Sequence, residues 1–71
     1  MQKHIDIFDE NLYYLICWFE GEDHQDTSEI GPLTAEQARI FWAALKEKNI
    51  HGMLNSGSKE FILELIQMRN N

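Results

Sequence analysis

The chain has 71 residues, twelve Asp plus Glu against six Lys plus Arg, 44% hydrophobic residues, one Pro and one Cys. That bounds it to one small domain, and the ordinary hydrophobic fraction with only five Pro plus Gly residues excludes disordered and low-complexity classes. A formal net charge of −6 argues against direct binding to nucleic acid or to an anionic membrane, because both partners demand a surplus of Lys and Arg.

The charge is unevenly placed. Residues 1–30 hold eight acids and one base, a net of −7, whereas residues 31–71 hold four acids and five bases, a net of +1. Five carboxylates, Glu20, Glu22, Asp23, Asp26 and Glu29, follow one another without an intervening cation. Such a segment projects a concentrated negative potential.

In chain order, Lys3 to Phe8 has alternating Ile5 and Ile7 and stops at Asp9-Glu10-Asn11, which predicts a short strand over 3–8 and a turn. Residues 12–20 are rich in aromatic residues and include the β-branched Ile16, are too short for a typical helix and are bounded by Asn11 and Gly21, so they predict a second strand. After a polar turn, 27–31 predicts a third, with Gly31-Pro32 ending the ladder. These three form an antiparallel β-meander.

Thr34 opens a helix over 34–48: its hydroxyl is placed to accept from the N3 amide, Gln37 to reach back, and Glu36 to meet the positive end of the helix dipole. Ala38, Phe41, Trp42 and Leu45 recur at i, i+3, i+4 and i+7, the stripe of a helix lying on a core, with Ile40 on the far side. Lys46 and Lys48 mark the last turn. Residues 50–54 predict a short strand and Asn55-Ser56-Gly57-Ser58 a turn. For 58–69 two readings stand, a C-terminal helix capped by Ser56 or Ser58 or a C-terminal strand, and composition favours the helix. The fold class is therefore a small single α+β domain spanning residues 1–71.

Both faces of residues 12–19 are apolar. If both helices pack on one side, the face carrying Tyr14, Ile16 and Trp18 is left for a partner or a second copy; if they pack on opposite sides, the strand is simply central.

No catalytic, cofactor or metal motif emerges. Counted from Asp23, the sixth position of a calcium loop is Ser28 and not Gly, and His4, His24, His51 and Cys17 lack the paired spacing of zinc ligands. Gly52 and Gly57 open no phosphate-binding loop. Cys17 lies in the most apolar stretch, where a thiol is held neutral and inert. A lone cysteine also allows no internal disulfide, and neither a secretory leader nor a run of ~20 apolar residues is visible, so a cytoplasmic protein is expected.

Charge used for recognition remains. In size and charge, and in no motif, the chain resembles the small acidic proteins, many phage-encoded, that block nucleic-acid-binding complexes by presenting carboxylates where phosphates would lie. The expectation is a non-enzymatic inhibitor or adaptor whose partner is a protein with a basic surface. Specificity would come from Glu20, Glu22, Asp23, Asp26 and Glu29, and affinity from Tyr14, Ile16 and Trp18. The alternative is a homodimeric structural or regulatory domain whose acids serve only solubility.

Overall fold

The computed structural model describes residues 7–20 and 26–70. It contains β1 (Tyr13–Glu20), β2 (Asp26–Leu33), α1 (Ala35–Glu47), β3 (Gly52–Gly57) and α2 (Lys59–Arg69). The sheet order is β2-β1-β3, with both neighbours antiparallel to β1. Because β2 and β3 run the same way with β1 between them, α1 must cross one face of β1 to connect them. The chain then returns as α2 over the other face, so the architecture is helix, sheet, helix.

That sandwich explains the two-faced apolar strand. Tyr14 and Ile16 are buried with Phe8, Ala35, Ala38 and Leu45, and Trp18, Phe41 and Trp42 pack around them. Leu15 and Cys17 point the opposite way, to Ile62, with Tyr13, Leu65 and Ile66 around them. Each fully buried Ile or Leu contributes about 1.5–3 kcal/mol. The expectation of an exposed aromatic face at Tyr14, Ile16 and Trp18 is thereby corrected, since α1 covers all three.

Both helices begin where their capping residues place them. Thr34 Oγ1 accepts from the Gln37 N–H at 3.3 Å and Gln37 Oε1 accepts from the Thr34 N–H at 3.0 Å, a complete capping box. Ser58, rather than Ser56, caps α2 by accepting from the Phe61 N–H at 3.1 Å, and residues 59–69 are helical. α1 ends in a Schellman motif: the Asn49 N–H donates to Lys46 O and the Ile50 N–H to Leu45 O, with Asn49 at φ 58°.

Three segments differ from expectation. Residues 3–6 lie outside the described residues, and Ile7 and Phe8 belong to no strand. β2 and β3 occupy both edges of β1, leaving no place beside it for Ile7 and Phe8; Phe8 instead sets its ring edge-on to Tyr14 at 5.1 Å. β2 does not stop at Gly31-Pro32 but continues to Leu33, because a bulge between the Tyr14↔Leu33 and Ile16↔Ile30 pairs absorbs the two residues. A Cβ at Gly31 would stand 2.9 Å from Tyr14 O, so glycine is what lets the strands approach there. Finally, β3 covers 52–57 instead of 50–54. Ile50 is used in ending α1, and the turn-like Asn55, Ser56 and Gly57 are drawn into register with Leu15, Tyr14 and Tyr13.

Candidate protein-docking site

Glu20 and Asp26 are direct cross-strand partners, the last pair of the β1–β2 ladder, and both are exposed. Like charges placed opposite each other on a sheet repel, by a few tenths of a kcal/mol up to ~1 kcal/mol. Among the described residues no cation pairs with either one; Glu20 Oε2 instead accepts a hydrogen bond from the Ser28 hydroxyl. Register parity puts Glu20, Asp26 and Ser28 on the α1 side of the sheet.

The other side of the same end carries Phe19, Thr27 and Glu29. Glu29 faces Arg69 of α2 at 3.6 Å, and Thr27, Ser28, Glu29, Arg69 and Asn70 line a polar groove of about 300 Å³. Phe19 remains 44% exposed because α2 ends before covering it. The last described pair of the β1–β2 ladder is therefore a carboxylate pair, with the exposed Phe19 ring one residue back on the opposite face.

Of the residues singled out from sequence, Glu20, Asp26 and Glu29 come together at this end, and Glu22 and Asp23 lie outside the described residues. Tyr14, Ile16 and Trp18 belong to the core and not to this surface. Phe19 was not distinguished, since alternation alone makes it the equal of Leu15 and Cys17; only the length of α2 separates them.

A second concavity went unforeseen. The loop between α1 and β3 is flanked by a groove of about 460 Å³ lined by Trp42, Leu45, Lys46, Asn49, Ile50, His51 and Gly52. A smaller one, about 300 Å³, lies between that loop and Phe19. The visible signal was Asn49 directly after Lys48, a residue suited to the left-handed cap that shapes the loop.

Cys17 is buried under α2, and burial pushes its thiol above the ordinary value of 9.0, with Arg69 opposing and Glu29 adding to the shift. A thiol so placed is a packing group. Among the described residues no three His, Cys, Asp or Glu side chains converge, and no helix is long and apolar enough to cross a membrane. Set against known protein families, curated proteins and solved structures, the chain matches none of them.

Proposed function

We propose that the chain is a non-enzymatic acidic protein-interaction domain, an inhibitor or adaptor acting in the cytoplasm, that docks the end of its β1–β2 hairpin onto a protein with a basic surface. The observation that carries this reading is the Glu20 and Asp26 pair, two exposed carboxylates held in register without an intramolecular cation among the described residues. A partner supplying Lys or Arg between them converts a repulsion into two charge-assisted contacts. Phe19 takes the apolar role first expected of Tyr14, Ile16 and Trp18. A partner that otherwise binds nucleic acid has the required surface, since carboxylates paired across two strands meet the same cationic side chains as phosphates do.

The test is capture by the immobilised chain from lysate of its native host, at about 50 and about 500 mM salt, beside the double variant Glu20→Lys and Asp26→Lys. A protein captured at low salt, released at high salt and lost by at least about tenfold in the variant supports the reading. Capture that is indifferent to both salt and charge reversal removes it.

A further inference from the structure

The two outer edges of the sheet are built differently. β2 carries Asp26, Glu29, Pro32 and a bulge, all devices that discourage another strand from pairing with an edge. β3, Gly-Met-Leu-Asn-Ser-Gly, carries no charge, no proline and no bulge, and no described segment pairs with its outer side. Two apolar side chains, Met53 within it at 52% exposure and Phe61 against its Gly57 at 45%, are left uncovered by the described residues.

We infer that β3 is a self-association edge, and that two copies of the chain join their β3 strands antiparallel about a twofold axis at Asn55 to form a six-stranded sheet. The register follows from the faces. Met53 and Gly57 pair with Cys17 and Tyr13, so both point to the α2 side, and the Phe61 ring lies against Gly57, where an added Cβ would stand 2.5 Å from its Cδ2. A twofold axis normal to the sheet keeps like faces together. Centred on Asn55, it sets Met53 opposite Gly57 of the second copy, and therefore against that copy's Phe61, with the same contact repeated by symmetry. Methionine sulfur against an aromatic ring is a favourable apolar contact. The two Asn55 side chains meet at the axis, where each amide offers both donor and acceptor.

The self-complementary register, in which Met53 of each copy meets the other's Phe61, points to a second copy as the occupant, and charge does not oppose it. The chain is acidic overall, yet residues 31–71 are nearly neutral, and the acidic β2 edge lies at the far side of each three-stranded sheet. In the joined sheet the two β2 strands are five strand spacings apart, about 24 Å, well beyond the ~8 Å screening length at physiological salt. Repulsion between the copies is thus largely removed by the geometry.

Sedimentation equilibrium of the whole chain should show dimers forming between about 1 and about 100 micromolar, and, since no ion pair is involved, added salt should not dissociate them. That salt response is opposite to the one expected of hairpin docking, so the two readings fail separately. Met53→Lys changes an exposed position and should weaken dimerisation at least about tenfold while the circular dichroism is retained. Asn55→Cys should cross-link to its own copy on mild oxidation, because directly opposed strand residues fall within disulfide reach, and Thr27→Cys on the β2 edge should not. A chain that stays monomeric to about 500 micromolar overturns the inference. So does a dimer that tolerates Met53→Lys or that does not cross-link through Asn55→Cys.

Discussion

The two faces of the sheet reach burial by different means. On the α1 side six buried and seven partly buried residues among those described pack together, the helix is capped at both ends, and Arg39 ties in the preceding chain by its 2.7 Å ion pair with Glu10 and a 3.4 Å bond to Phe8 O. On the α2 side, among the described residues, Leu15, Cys17 and Ile62 alone are buried, the helix has a single side-chain cap, and Leu63 and Met68 are exposed. Lys59, 5.9 Å above the Tyr13 ring, and the Arg69 pair with Glu29 hold its two ends. The contrast teaches that a helix can complete a sandwich with one anchoring residue, provided the opposite face already carries the core. It also assigns the low-stability unit of the molecule to α2, the helix nearest the exposed Phe19, Met53 and Phe61.

The sharpest way to break the comparison is to truncate one anchor on each side. At ~0.05–0.15 kcal/mol per residue a chain of this size has about 4–10 kcal/mol of stability in all. Ile16→Ala should cost about 4–5 kcal/mol, because its neighbours are fixed by the sheet and both ends of α1, and this is enough to unfold much of the protein. Ile62→Ala should cost about 2–3 kcal/mol, since α2 can settle into the space, and it should loosen α2 while the α1 side stays intact. Urea titration followed by tryptophan fluorescence reads the first side, because Trp18 and Trp42 both lie under or on α1. Alkylation of Cys17 reads the second. Equal costs for the two variants would show that the faces form one cooperative unit.

Removing the caps sharpens the same contrast at smaller scale. Thr34→Ala breaks the two bonds of a capping box and should cost about 1–2 kcal/mol, and Ser58→Ala, which breaks one, about 0.5–1 kcal/mol. The thermal midpoints of the two variants check the order, and a larger drop for Ser58→Ala would reverse the ranking of the helices.

The smallest expected effect is electrostatic. Burial favours the neutral thiol of Cys17, so its folded pKa lies above the unfolded value near 9.0. The resulting stability is fully present below pH 9 and is lost as pH rises through the folded pKa. Comparing Cys17→Ala with the parent at pH 8 and at a pH above that value should show a stability difference that shrinks at the higher pH. A difference independent of pH would mean that α2 does not exclude water from Cys17.

Local signals account for the helices. Thr34 with Gln37, the stripe of Ala38, Phe41, Trp42 and Leu45, and Ser58 before a run rich in Glu, Leu and Met act within a few residues and need no distant partner. The strand at 12–20 was legible for the same reason. What misled were segments whose fate depends on the rest of the chain. Asn55, Ser56 and Gly57 have turn chemistry but sit in β3, because the open side of β1 offers backbone bonds that a turn would leave unmade. Ile7 has the alternation of a strand residue and found that side already taken. The candidate site was half legible: Glu20, Asp26 and Glu29 were marked by charge, whereas Phe19 became a surface residue only through where α2 ends.

Composition and spacing alone thus determined an α+β domain with an acidic first half, a strand apolar on both faces and one capped helix, and favoured a second helix over a strand at 58–69. Tertiary structure alone decided on which side of β1 each helix lies. That choice buried Tyr14, Ile16 and Trp18, left Phe19 and Met53 outside, and gave one sheet edge its guards and the other none. The physical reason is that alternation specifies that a face must be covered, but what covers it depends on chain crossings tens of residues away, where no local pattern reaches.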